Sequence, residues 1–201
     1  FRMTSRGLAC SDCPKFGDPS YRDSRHYERF ILEGNFQTEL IDDEDFSISF
    51  EGPQDETSAV ETIRSGDELT LTTRGKNLSG QLRCIIRTPV FTSLYADKTG
   101  QVTIRGFDEG RSSITAKGPM QIRGFFDSNE LDLALDGKVQ MELVGRSDNL
   151  KARLSGGAEL EAPGRRVSRA EISASDAARA RLPVDHEAVD KSDASRTVKI
   201  D

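Results

Sequence analysis

Between Leu94 and Ala180 the chain says one short thing five times. Each copy holds an alternating apolar pair, a polar corner and a second alternating pair. The copies are Leu94-x-Ala96 with Gly100-x-Val102-x-Ile104; Ile114-x-Ala116-x-Gly118-x-Met120-x-Ile122; Leu133-x-Leu135-x-Gly137-x-Val139-x-Met141; Ala152-x-Leu154-x-Gly156-x-Ala158-x-Leu160; and Ile172-x-Ala174-x-Asp176-x-Ala178-x-Ala180. Their corner residues follow one another at steps of 18, 19, 19 and 20 residues. A fixed period of this length is the signature of a stacked repeat.

Alternation with period two demands strands, because successive side chains on a strand point to opposite faces. Two strands and their corners make one rung. A single rung cannot bury its apolar side; stacked rungs can, each strand pairing in parallel with those above and below. Glycine at the corners allows positive φ without a Cβ clash. An antiparallel sandwich also has short strands at even spacing, but it does not require the pattern to recur in phase. The expectation is a β-solenoid with Val102, Met120 and Val139 in one vertical file. Large residues (Phe36, Phe46, Phe50) stand early and alanines (Ala152, Ala158, Ala174, Ala178, Ala180) late. An interior packed to constant density must therefore narrow toward Ala180.

The phrases FTSLYADKTGQVTI, SSITAKGPMQI and NLKARLSGGAEL resemble the head GIN domain family of bacterial adhesin-like proteins, over about residues 30 to 182. The upstream phrase GDELTLTTRGKN, with the Thr88-Pro89 step before Leu94, is similar to that family's approach to its first full rung. The resemblance implies a right-handed parallel β-helix and an envelope setting. The family's Ser-Gly-Ser-Gly corners are mostly replaced here, by Lys117-Gly118, Asp136-Gly137 and Ser175-Asp176.

Three segments follow: an extended N-terminal arm (1–29), the solenoid (30–182), and a polar C-terminal tail (183–201) whose Val198 and Ile200 could form a capping strand. A net charge of −6 argues against general nucleic-acid binding. No apolar run reaches the ~18 residues of a membrane-spanning helix. Membrane attachment through a segment preceding Phe1 is left open.

Chemistry-bearing residues are few. Cys10-x-x-Cys13 admits a disulfide (Cys10 with Cys13, or either with Cys84), free thiols, a metal site or redox chemistry. A buried Cys84 would explain the odd third thiol. Cys10 and Cys13 are weak metal candidates, since a structural zinc needs four ligands. Asp42-Asp43-Glu44-Asp45 reads as a solvated turn, because it lacks calcium-loop spacing. His26 and His186 lie outside the repeat. No nucleophile elbow or phosphate loop is present.

Residues expected to meet a partner are Phe16, Tyr21 and Tyr27 on the arm and Arg105 and Arg123 on the solenoid. The register predicts an outward column Arg105, Arg123, Glu142, Glu161, Arg181, beside Thr103, Gln121, Gln140, Glu159, Arg179. Arg123–Glu142 and Glu161–Arg181 are expected as exposed ion pairs worth about 0–1 kcal/mol each. The functional expectation is a non-enzymatic structural or interaction module outside the cytoplasm (periplasmic, cell-surface or membrane-attached). It needs no cofactor and binds a protein partner through strand faces and arms. The alternatives are an accessory subunit of a membrane complex, and a carbohydrate-binding or carbohydrate-active β-helix.

Overall fold

The computed structural model describes residues 27–98, 100–190 and 197–200. The strands are β1 (Arg29–Glu33), β2 (Gln37–Asp42), β3 (Ser47–Glu51), β4 (Glu61–Ser65), β5 (Glu68–Thr72), β6 (Arg83–Thr88) and β7 (Ser93–Asp97). There follow β8 (Gln101–Lys117), β9 (Met120–Asp136), β10 (Val139–Ser155), β11 (Glu159–Ala174), β12 (Arg179–Leu182), β13 (Val184–Asp190) and β14 (Thr197–Ile200). Long strands β8 to β11 each sweep through two faces and the bend between them. The chain is a β-solenoid.

On the back face, parallel pairing stacks Cys84, Thr38, Val102, Ile122, Met141, Leu160 and Ala180 in one file. On the front face the matching file is Leu69, Phe30, Leu94, Ile114, Leu133, Ala152 and Ile172. All of these side chains are buried. Removing a Leu or Ile side chain from water stabilises the fold by about 1.5–3 kcal/mol, so the two files supply much of the driving force. Side-chain size falls along the axis as the sequence requires. Tyr27, Phe30, Phe36, Phe46 and Phe91 fill one end, and Ala158, Ala174, Ala178 and Ala180 the other.

The expected file Val102–Met120–Val139 is half right. Met120 does lie beside Val139, but Val102 lies beside Ile122. The cause is the first corner. The positive-φ residues at successive corners are Lys98 (+56°), Gly118 (+84°), Gly137 (+85°), Gly156 (+65°) and Asp176 (+57°). The first turn is thus made at Lys98, two residues before Gly100, and the first copy shifts by two. Glycine is required where corners stack. A Cβ on Gly156 would stand 2.7 Å from the Gly137 nitrogen. At the last corner Asp176 takes the left-handed conformation, and its carboxylate accepts the Gly156 N–H at 3.2 Å.

The N-terminal rung is out of chain order. β1 lies between β5 and β7, and β2 between β6 and β8. The chain lays down β1 and β2, leaves to build the end of the stack, returns through β5 and β6, and steps past its own first rung to reach β7. That step is pinned. Thr88 Oγ1 donates to the Tyr27 carbonyl at 2.9 Å, and the Thr92 N–H to the Glu28 carbonyl at 2.8 Å. The end itself is closed by strands of opposite direction: β3 runs antiparallel to β6 and β4 to β5. A helical turn at Gln54–Thr57 joins them. Reversed, short, charged edge strands stop a sheet from recruiting further strands. At the other end β13 continues the pairing on β11 beyond Leu182, and β14 pairs with β12.

A polar ladder runs inside the bend between the faces. Ser128 and Ser147 are stacked neighbours with hydroxyls 3.3 Å apart. Arg165, fully buried, reaches back over them. Its guanidinium donates to the carbonyls of Phe126 (2.9 Å) and Arg146 (3.0 Å) and to Ser147 Oγ (2.6 Å) and Ser128 Oγ (3.2 Å). Burial pulls its pKa down to about 10, which still leaves it cationic at neutral pH.

Candidate ligand-binding face

The back face presents three outward columns, because β6, β2 and the leading halves of β8 to β11 run side by side. The first column is Arg83, Gln37, Gln101, Gln121, Gln140, Glu159, Arg179. The second is Glu39, Thr103, Arg123, Glu142, Glu161, Arg181. The third contains Ile41, Arg105, Phe125 and Val144. Phe125 is a 41% exposed aromatic in the middle of a strand.

Glu39 organises the upper part of this face. Only 8% exposed, it accepts from Arg83 Nη2 at 2.5 Å and lies 3.2 Å from Arg105 Nη2. Its hydrogen bond and charge, with help from Glu51, raise the Arg83 pKa. Two guanidiniums are thereby held at the rim of an open depression of about 330 Å³, which Arg123 closes on the next rung. Arg123 also borders a second depression of about 380 Å³, floored by Gln121 and Gln140 and ending at Glu159 and Glu161. Gln121 Nε2 donates to Gln140 Oε1 at 3.3 Å. The two depressions meet at Arg123; Arg83 and Arg105 line the upper one, and Glu142, Glu159 and Glu161 the lower, with Arg179 and Arg181 beyond them on the next rung.

The front-side depression, about 360 Å³, is built differently. There Arg111 pairs with both Glu130 and Asp132, and the register sets Lys151 between Asp132 and Glu171. Opposite charges alternate and satisfy one another.

Arg105 and Arg123 fall on the same face, as expected, but not in one column. With the first rung shifted by two, Thr103 is the neighbour of Arg123 and Arg105 that of Phe125. The ion pair Arg123–Glu142 is present at 3.6 Å, and Glu161 and Arg181 are register neighbours. Tyr27 is not a partner-binding residue of an arm. It is fully buried, 4.8 Å from the Phe46 ring, because the fold draws it in as an end plug. Cys84 is a free, buried thiol whose pKa burial pushes up. Phe16, Tyr21, Cys10 and Cys13 lie outside the described residues. Among the described residues no group of three or more His, Cys, Asp and Glu side chains is placed to hold a metal.

Sequence reasoning missed Glu39 and Phe125; it found the column of Gln121, Gln140, Glu159 and Arg179 but set Thr103 at its head, where Gln101 and Gln37 stand. A signal existed in Gln37-x-Glu39, Gln101-x-Thr103, Gln121-x-Arg123 and Gln140-x-Glu142, a glutamine recurring two residues before the variable column.

Residues 26–198 match the family described as "Putative auto-transporter adhesin, head GIN domain", and the chain belongs to it. A crystal structure described as a "putative adhesin" from Bacteroides fragilis is similar at TM-score 0.75 and 13% identity, over 88% of this chain and 93% of that one. A "Putative lipid binding protein" from Parabacteroides distasonis is similar at TM-score 0.58 and 10% identity, over 87% and 93%. Another "putative adhesin", from Parabacteroides merdae, is similar at TM-score 0.53 and 10% identity, over 87% and 92%. At these identities the likeness is one of fold. No curated protein matches. No described helix is long and apolar enough to cross a membrane.

Proposed function

We propose that this chain is a non-enzymatic, adhesin-like binding module that works outside the cytoplasm and holds a macromolecular partner against its strand faces. The observation that carries this reading is the set of outward columns on the back face. Their side chains are fixed in register across successive rungs by parallel pairing. A surface held this way loses little entropy when it binds, which is where affinity comes from in an open site. The arrangement offers many weak polar contacts over an extended area, and its two depressions lie open to solvent. Family membership and the adhesin-like descriptions of two similar structures support the same reading.

The test is retention of envelope material. Immobilised protein should bind whole cells or envelope fragments saturably, and antibodies on intact cells should reach the protein. A purified chain that turns over esters or polysaccharides at rates near 1 s⁻¹, within the ordinary range for enzymes, contradicts the proposal. So does the absence of saturable binding to any envelope fraction.

A further inference from the structure

The upper depression of the back face gathers three arginines around one carboxylate, and that cluster narrows the partner. Resting on the reading of the solenoid as a binding module, we propose that the back face takes an acidic glycan. The carboxylate of one sugar sits among Arg83, Arg105 and Arg123, and neutral sugars run along the amide row.

Four observations lead there. First, three guanidiniums line the upper depression against the single carboxylate of Glu39. Glu39 is buried and engaged on Arg83 and Arg105, so it positions these cations. The rim carboxylates Glu51 and Glu142 also pair with Arg83 and Arg123, but they are half exposed, where solvent screens such pairs. A guanidinium carries five N–H donors in a fork that fits a carboxylate, and a contact to one carboxylate does not exhaust it.

Second, Gln101, Gln121 and Gln140 follow one another down the axis. Each amide both donates and accepts, as a sugar hydroxyl does. Third, exposed Phe125 follows Arg105 in the third column, one column beyond Arg123. It offers an apolar plate for the C–H face of a pyranose ring, the usual partnership of one aromatic with a few placed polar groups. Fourth, Glu142, Glu159 and Glu161 line the lower depression, and Arg179 and Arg181 on the next rung face Glu159 and Glu161 one to one, so of the two depressions it is the upper one that sets three guanidiniums around one lining carboxylate. The face therefore selects one acidic unit followed by neutral ones, and the chain's net charge of −6 works against a dense polyanion.

Calorimetry or plate binding with two matched pairs tests this: 3′-sialyllactose against lactose, and aldotriouronic acid (one uronate on two xyloses) against xylotriose. At least one acidic probe should bind about tenfold tighter than its neutral counterpart. The double variant R105Q/R123Q should erase that preference at an unchanged unfolding midpoint. Phe125→Ala should weaken the acidic and neutral members of the pair by similar factors. Lys151→Gln, on the front face, should change nothing. Equal affinity for acidic and neutral members overturns the proposal, as does a preference that survives R105Q/R123Q. Failure of both acidic probes to bind at millimolar concentration overturns it too. If envelope fragments are still retained in that case, the binding-module reading stands and only the glycan assignment falls.

Discussion

Arg165 and Phe126 meet inside the solenoid, 39 residues apart in sequence, with the guanidinium carbon 5.1 Å from the ring centroid. The same guanidinium donates to the Phe126 carbonyl and to those of Val144 and Arg146. It does for the bend what a cap does for a helix end: backbone acceptors turned inward, away from water, receive a donor. The acceptors are main-chain atoms, so no substitution at position 165 can remove them. Arg165→Met should keep most of the volume and strand them, and Arg165→Ala should add a cavity. Leaving buried acceptors unpaired costs about 1–3 kcal/mol each before relaxation. Arg165→Ala should therefore lower the unfolding free energy by about 3 kcal/mol or more, with Arg165→Met close behind. Chemical denaturation measures this; a loss below about 1 kcal/mol for both variants, the size of an ordinary mutation, contradicts the role.

The corner stack predicts a contrast between two glycines of nearly equal φ. Gly156 (+65°) would place a Cβ 2.7 Å from the Gly137 nitrogen and 2.9 Å from its Cα, whereas Gly66 (+61°) faces open space. The left-handed conformation alone costs an L-residue about 1–2 kcal/mol. Gly66→Ala should therefore cost about that much. Gly156→Ala should cost clearly more, because backbone must move as well. Equal losses in urea titrations contradict the stacked corner.

Cys84 should be chemically silent in the native state. Its thiol is fully buried, and burial alone pushes its pKa far above the ordinary thiol range, so almost no thiolate is present to react. In a C10S/C13S double variant, a disulfide reagent such as DTNB should find no reactive thiol until denaturant is added, and then one per chain. Rapid labelling of the folded protein contradicts the placement of β6.

Glu109 gives a pH signature. Its Oε1 accepts the Phe91 N–H at 2.9 Å, yet its pKa is raised from the ordinary 4.5, first by burial and then by Asp42, Glu28 and Asp108. A carboxyl whose folded pKa is raised binds its proton more tightly when folded. Its contribution to stability is complete below the unfolded value and is lost as pH rises through the folded value. Glu109→Gln keeps an acceptor for Phe91 and does not titrate. The stability of this variant relative to the parent should therefore increase from pH 4 upward and level off once Glu109 is ionised. A flat difference, or one of opposite slope, contradicts the assignment.

The repeat was legible because Leu133, Leu135, Val139 and Met141 each obey a local rule, alternation about a tight corner, that rung stacking then reuses. The first corner was misread because Gly100 is the obvious turn residue, while the turn is made by Lys98, a side chain not expected at positive φ. Nothing in the sequence sets Arg165 apart from its neighbour Arg166. A register shift between Glu142 and Val144 puts Arg165 inside, since one extra residue exchanges the two faces of a strand. The insertion of β1 between β5 and β7 leaves no local mark, because parallel pairing depends on residues far apart in the chain. The arginine cluster around Glu39 was hidden for the same reason. It exists only because β2 is placed between β6 and β8.

That insertion is the least conventional feature of the fold, and the back-face site depends on it. Inter-strand nuclear Overhauser contacts in isotope-labelled protein test it most directly. Leu32 should show backbone contacts to Leu71 on one side and Ala96 on the other. Thr38 should likewise contact both Cys84 and Val102. Direct contacts between Leu71 and Ala96, with Leu32 touching Leu71 alone, would mean that the rungs stack in chain order, and the site built around Glu39 would not form.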